Sequence, residues 1–437
     1  MRKQTRRALM GTIGSLTVAG CTGRIGAVGE PGAAEETGTE APTDRPTEEP
    51  TATPTATDTA TGTPSDRGVG ERIDAFEDME NWYVLQEQGT LTAETQDAYE
   101  GSQSAHVESA TGDVYGAIFK AFDEPVDFSD RNVSMAVKLQ EPEIAKITVD
   151  LLAPDRGNMV RMTRTLTGPT DRWMRVDFGV TDVRRDPELS EVREIRIVGR
   201  RRGGVEKPVE FAVDDLRAVE APTKGRVMLT FDDSHDSHYE KAFETMQEYG
   251  FPGVEGVIAE SIYGNNQLDV GMMREMSDAG WDMASHPLTR GTQLQEFSAA
   301  EQRKRIEENK QFLVRKGFEE GARHFLTPQN MRGPKTFDLV REHHETMFSF
   351  GGMPNGLPST TTYNYGRVNA SDAGATKRLV DNAAKFGQLL VVNHHRVGGD
   401  GLPLSEFRSV LDHIEKADVE VVTASDLLDS ELTSRQG

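Results

Sequence analysis

The chain predicts two folded parts in series, an all-β sandwich and then an α/β barrel with a parallel sheet, and three features of the sequence point to them. Residues 22–70 are rich in Thr, Pro and Glu with hardly any large apolar side chain, so burial cannot offset their ordering entropy and a disordered tether is expected. Residues 71–220 carry short alternating apolar runs cut by Gly, Asp and Pro, the pattern of antiparallel strands. From 224 to 437, strand-like runs alternate with helical periodicity, which implies crossover helices and parallel strands. A length of 437 residues suits more than one core.

At the N-terminus, Arg2, Lys3, Arg6 and Arg7 precede a weakly apolar run over residues 8–19, too short to span a bilayer, and then Val18-Ala19-Gly20-Cys21. Residues 1–21 thus have the layout of an export signal. Arg6-Arg7 resembles a twin-arginine signal, and the small residues before Cys21 resemble a lipobox in which Val18 stands where leucine is usual. The expectation is a lipoprotein at the extracellular face of the cell membrane, anchored only through lipid on Cys21. No other cysteine exists, which excludes an intrachain disulfide and a thiolate metal cluster. In the tether, as at Thr51-Ala52-Thr53-Pro54-Thr55, proline stiffens the chain and threonines offer O-glycosylation sites.

Within the sandwich, strands are expected at 133–139, 147–151, 173–178, 195–198 and 211–213. Phe76-Glu77-Asp78, Trp82, Tyr99-Glu100-Gly101-Ser102-Gln103-Ser104-Ala105 and Val213-Asp214-Asp215-Leu216 resemble jelly-roll carbohydrate-binding modules. Trp82, Tyr83, Tyr115 and Trp173 are the aromatics that could stack on sugar faces, although aromatics of this kind more often fill a core or an edge. Asn132-Val133-Ser134 and Asn369-Ala370-Ser371 match the N-glycosylation pattern.

In the barrel, residues 227–231 form a buried strand, and Tyr239, Phe243 and Met246 then recur at helical spacing before Gly250. A strand at 254–258, a helix over 268–279 stopped by Gly280 and a strand at 281–285 follow. Ser298-Ala299-Ala300-Glu301 is a capping box opening a helix to about residue 316. Further strands are expected at 324–327, 346–350, 388–393 and 419–422, a number that suits a barrel.

Lys+Arg 49 against Asp+Glu 72 gives a net charge of −23, which repels phosphate backbones, so no nucleic-acid partner is expected. The acidic excess, with arginine outnumbering lysine, resembles proteins of halophilic organisms. Near molar salt the Debye length is about 3 Å and self-repulsion is screened. Stability should therefore fall in dilute buffer, and equal circular-dichroism melting in low and multimolar salt would contradict this.

Reactive groups of parallel barrels gather where strands end at their carboxyl side. Three strand ends here are polar: Thr230-Phe231-Asp232-Asp233, Ser285-His286-Pro287 and Asn393-His394-His395. A carboxylate and a neutral imidazole can hold a divalent ion, a second carboxylate can activate water, and another histidine can protonate a leaving group.

These segments, with Gly280-Trp281-Asp282-Met283-Ala284-Ser285-His286 and the run 389–394, resemble the first, second and last motifs of the NodB-type polysaccharide deacetylase family. The resemblance implies a distorted (β/α) barrel, removal of acetyl groups from an acetylated polysaccharide or glycan, and a divalent metal, commonly zinc. Carried onto this chain, it makes Asp232 the general base, Asp233 and His286 metal ligands, and His394 the general acid, with His395 its rival. The chain also departs from the family. Arg290 stands where a second metal-binding histidine is usual, Leu326 where an arginine orients the base, and Ser234 where glycine follows the aspartates. The base is thus expected to lack its usual partner and the metal a ligand, for which His235 or His238 could substitute. The competing expectation is a catalytically impaired glycan-binding or envelope-structural protein on the same fold.

Overall fold

The computed structural model describes residues 69–202 and 204–433; the predicted export signal, tether and Cys21 lie outside the described residues. The described residues lie in one compact unit. The sandwich comprises β1 (Glu71–Asp74), β2 (Tyr83–Val84), β3 (Thr90–Glu94), β4 (Ser104–Glu108), β5 (Tyr115–Val126), β6 (Arg131–Glu141), β7 (Ile144–Leu152), β8 (Met159–Thr167), β9 (Trp173–Phe178), β10 (Asp182–Arg184), β11 (Val192–Arg201) and β12 (Glu210–Glu220). One antiparallel sheet runs β3-β4-β12-β6-β9 with β1 added on β12, and the other runs β10-β8-β7-β11-β5-β2. Alternation works as expected: Val137, Val176 and Phe211 of one sheet meet Ile147, Val149 and Ile197 of the other in a single core.

Several sequence expectations change here. Trp82 is a core residue, stacked on Phe76 at 5.0 Å with its indole N–H donating to Asp74. Trp173 is half-buried and donates to Asp97 at 2.7 Å, whereas Tyr83 is exposed. Asn132 is buried and its Nδ2 donates to the Leu357 carbonyl at 2.8 Å, so in the folded protein it is no glycosylation site. Asn369 is exposed. The residues carrying the jelly-roll resemblance tie a loop to the last strand: Asp214 accepts from the Tyr99 and Glu100 amides at 2.8 and 3.0 Å.

The second part runs β13 (Gly225–Asp232), α1 (Glu244–Gln247), β14 (Val254–Val257), α2 (Val270–Asp278), β15 (Asp282–Ser285), α3 (Ala299–Lys316), β16 (His324–Leu326), α4 (Pro334–His343), β17 (Thr346–Phe350), β18 (Tyr365–Asn369), α5 (Ala373–Phe386), β19 (Leu389–His394), α6 (Leu404–Lys416), β20 (Val419–Val421) and α7 (Ala424–Asp429). The parallel strands β13 to β19 close a seven-membered ring by pairing β13 with both β14 and β19. The ring is distorted at one edge of β13, where β14 takes Thr230–Asp232 while β20 takes residues 225–227. Ser298 Oγ accepts from the Glu301 amide to start α3, and Gly317 ends it with φ 90°. Among the strands of the barrel, the one that sequence analysis missed is β18. His344 is buried edge-on to Phe325 at 5.1 Å.

Sandwich and barrel share an interface built on buried polar groups. Arg164 of β8 donates to Asn355 Oδ1 at 3.0 Å and to the Asn364 carbonyl at 2.6 Å. Arg332 donates back to the Gly168 carbonyl at 3.0 Å. Asp177 of β9 accepts from the Thr360 amide at 2.9 Å. The apolar core of the sandwich continues directly into Ile306, Phe325, Leu339 and Met347 of the barrel. Among the described residues no helix is long and apolar enough to cross a membrane.

Burial pushes His324 down to about 3, with Arg323 adding to the effect, and pushes His394 down to about 3 and His344 well below its usual range. These rings are neutral in the folded protein and protonate near pH 6.5 once unfolded. The unfolded chain therefore binds more protons, and each such ring lowers stability by up to about 1.4 kcal/mol per pH unit as pH falls below about 6.5. His238 and His286, both raised, contribute in the opposite sense, being lost as pH rises through their folded values. Denaturant midpoints are expected to decline from pH 7 to pH 4.5, and His324→Gln should flatten that decline.

Candidate functional site

Strand parity sorts the site residues. On β13, Met228, Thr230 and Asp232 lie on the barrel-interior side, while Val227, Leu229 and Phe231 pack against the outer helices. Asp232 is buried at the carboxyl end of β13. Its Oδ1 accepts from Arg367 Nη1 at 2.8 Å and its Oδ2 from Asn393 Nδ2 at 3.1 Å. Burial alone would raise this carboxyl, but Arg367, followed by His286 and His395, holds it far below the usual carboxylate range. The expectation that the base lacks a partner is corrected: Leu326 supplies none, but Arg367 arrives from β18.

The chain then turns through two left-handed residues, Asp233 at φ 82° and Ser234 at φ 54°. Glycine would take this conformation most cheaply. Ser234 sustains it because its Oγ accepts from the Ile258 amide and its carbonyl from the Leu268 amide, both at 2.8 Å. The turn swings Asp233 out to the cleft, with its side chain 54% exposed and Oδ1 3.5 Å from His286 Nε2. His286 Nδ1 donates to the Leu326 carbonyl at 2.8 Å, so that in the neutral ring, the form that binds a metal, the Nε2 lone pair faces Asp233. Two donors bound at tetrahedral corners of one ion would stand about 3.4 Å apart. Asp233 and His286 have this spacing.

No third ligand joins them: among the described residues no group of three His, Cys, Asp or Glu side chains converges on a possible ion. Arg290 is exposed and offers no lone pair. Neither suggested substitute is free to ligate. His238 is fully buried with Nδ1 at 3.0 Å from Glu255 Oε2 and Nε2 donating to the His395 carbonyl at 2.7 Å. Burial lowers His238 and Glu255 more than compensates, so its proton affinity stands above that of a free imidazole. His235 Nδ1 accepts from the Ser237 amide at 3.1 Å, which places the proton of the neutral ring on Nε2, a donor rather than a ligand.

The two neighbouring histidines of β19 also part company. His394 has the outward parity of Leu390 and Val392. It stacks on Phe231 at 4.8 Å, meets Phe407 edge-on at 5.3 Å and directs Nδ1 to the Thr230 carbonyl at 3.3 Å. His395 is exposed and contributes to holding both Asp232 and Asp233 down. Together with Asp233, His235, Asn369 and Arg396, both histidines line a cleft of about 560 Å³. Sequence analysis missed Arg367, Asn393 as a partner of Asp232, and Glu255. A charged residue inside each short apolar run, Tyr365-Gly366-Arg367-Val368 and Val254-Glu255-Gly256-Val257, was the available signal, because an unpaired buried charge is expensive.

No curated protein matches the chain. Solved structures similar to it include the Xyl-CE4 domain of a multidomain xylanase from the hindgut metagenome of Trinervitermes trinervoides, at 16% identity and TM-score 0.35, covering 47% of this chain and 90% of that one. A family 4 acetyl xylan esterase from Clostridium thermocellum in complex with a cobalt ion is 15% identical with TM-score 0.36, covering 46% and 90%. A family 11 carbohydrate-binding module of a cellulosomal cellulase of Clostridium thermocellum is 14% identical with TM-score 0.27, covering 35% and 95%. The family comparison matches residues 220–347, a span that includes Asp232, Asp233 and His286 and stops before β18 and β19. The family it matches there is polysaccharide deacetylase.

Proposed function

We propose that the protein is a glycan deacetylase, a hydrolase that removes acetyl groups from acetylated sugars of an envelope or extracellular polysaccharide. The observation that carries this is the joint placement of a buried, charge-compensated Asp232 beside the Asp233 and His286 donors at one mouth of the barrel. Asp232, fixed as a carboxylate by Arg367, is the proton acceptor for the attacking water. Asp233 and His286 would hold a divalent ion, zinc by the nature of the donors, whose contribution when bound is to polarise the acetyl carbonyl and acidify water. With two protein donors its affinity should be modest. The acid role passes from His394 to His395: the His394 ring is neutral and wedged between Phe231 and Phe407, while His395 is exposed on the cleft where the departing amine or alkoxide needs its proton. Export and lipid anchoring through Cys21 are consistent with a polymeric substrate outside the cell and form part of this proposal.

The missing third ligand favours a second reading, a glycan-binding protein without turnover. Zinc content of the purified protein and acetate release from acetylated sugar oligomers in high salt separate the two. Turnover that falls with chelator and returns with added metal supports the enzyme; metal-independent glycan binding without acetate release supports the alternative.

A further inference from the structure

We propose that Arg367 is the positioning residue of Asp232, reaching it from β18 in place of a side chain that β16 no longer provides; its catalytic meaning rests on the deacetylase reading, its placement does not. The flank of Asp232 nearest β16 is apolar. Leu326 Cδ1 and Asp232 Oδ1 lie 3.0 and 3.1 Å from the point where a Cβ on Gly256 would sit, so the leucine methyl and the carboxylate oxygen flank the same glycine. A longer, guanidinium-bearing side chain at 326 is expected to reach across that glycine to the carboxylate oxygen.

Two strands further round the ring, Arg367 is fully buried and crosses to the same oxygen. Its Nη1 donates to Asp232 Oδ1 at 2.8 Å and to Asn393 Oδ1 at 3.2 Å, and its Nη2 donates to Asn330 Oδ1 at 3.0 Å. Asn330 belongs to the loop that follows β16. That loop is bent through two consecutive left-handed non-glycine residues, Gln329 at φ 55° and Asn330 at φ 58°, a costly conformation kept only where its surroundings demand it. The loop after β16 thus retains a part in the site, aiming an arginine that another strand supplies.

The arrangement has a directional consequence. Arg367 Nη1 places one bond on Oδ1 and Asn393 Nδ2 one on Oδ2 at 3.1 Å, which fixes the plane of the carboxylate and leaves each oxygen a lone pair for the proton of the attacking water. Guanidinium and carboxylate are both withdrawn from solvent, so each fixes the other in a way that an exposed pair would not. Removing the arginine should leave Asp232 present but free to rotate, and a displacement on the order of 1 Å in a catalytic group costs about 100-fold in rate.

The test uses the full chain and four variants, Arg367→Leu, Arg367→Lys, the double variant Arg367→Leu/Leu326→Arg and the same double variant carrying Asp232→Asn. Two readouts are taken: kcat and KM for acetate release from acetylated sugar oligomers, and the thermal midpoint. Arg367→Leu is expected to lower kcat about 100-fold with KM little changed and to lower the midpoint. Arginine restored at 326 should recover at least tenfold in kcat and most of the midpoint, and Asp232→Asn should cancel that recovery. Arg367→Lys keeps the charge without the forked geometry, so it should fold and still lose kcat. If arginine at 326 restores neither quantity, or Arg367→Lys leaves kcat unchanged, the proposal is overturned. A wild-type protein that releases no acetate would end the deacetylase reading, and the pattern of midpoints would still decide the placement of Arg367.

Discussion

Asp232→Asn is expected to lower kcat for acetate release by about 10²- to 10⁴-fold, the range for loss of a general base. The amide has nearly the same shape but no basic oxygen, and it presents an N–H where Arg367 requires an acceptor. Because the guanidinium then stays buried without its counter-charge, stability should also fall, by about 3–5 kcal/mol for a broken buried pair. The assay must therefore run well below the variant's melting temperature, with folding checked by circular dichroism. Unchanged kcat in a folded variant would remove Asp232 from the mechanism. Asp233→Ala, at an exposed side chain, should spare stability while lowering both metal content and turnover, which separates the two neighbouring aspartates.

The second large effect is structural. Gly366→Ala on β18 should destabilise the protein by at least about 1–3 kcal/mol, the usual cost of overpacking. A Cβ there would fall 1.6 Å from Arg164 Nη1 and 2.5 Å from its Cζ. An exposed arginine could swing away. Arg164 cannot do so cheaply, since it is fully buried and bound to Asn355 and Asn364. The Gly366 amide also donates to Asn355 Oδ1 at 2.7 Å, so the same contact ties sandwich to barrel and sets β18. Chemical denaturation should show a lower midpoint. Arg367 is the next residue, so kcat should drop even in the fraction that stays folded; a variant with wild-type midpoint and kcat would show that the interface yields where the structure says it is fixed.

How legible the site was depended on whether a residue's partner is local. Ser298 and Glu301 signal a helix start because cap and amide are three residues apart, and Gly250 and Gly280 signal ends for equally local reasons. The strand ends at Asp232 and His286 were legible because a polar pair follows an apolar run. By contrast β18 is five residues long and carries glycine and arginine, so neither its period nor its composition marks a strand. It is a strand because the ring between β17 and β19 has to be closed. The substitutes His235 and His238 looked available in sequence, and the structure engages their ring nitrogens with the Ser237 amide, Glu255 and the His395 carbonyl.

By itself, the sequence determined the two architectures, most of the barrel strands and the order of the polar strand ends, since these depend on periodicity, turn residues and caps that act over a few positions. Only the tertiary structure decided which charges meet. It assigned Arg367 rather than residue 326 to Asp232, packed His394 against Phe407 and left His395 exposed, and continued the sandwich core into one side of the barrel. The physical reason is that a buried charge is stable only opposite its complement, and in a closed ring of strands that complement comes from wherever the curvature of the sheet places a neighbour, at a separation along the chain that no local pattern records.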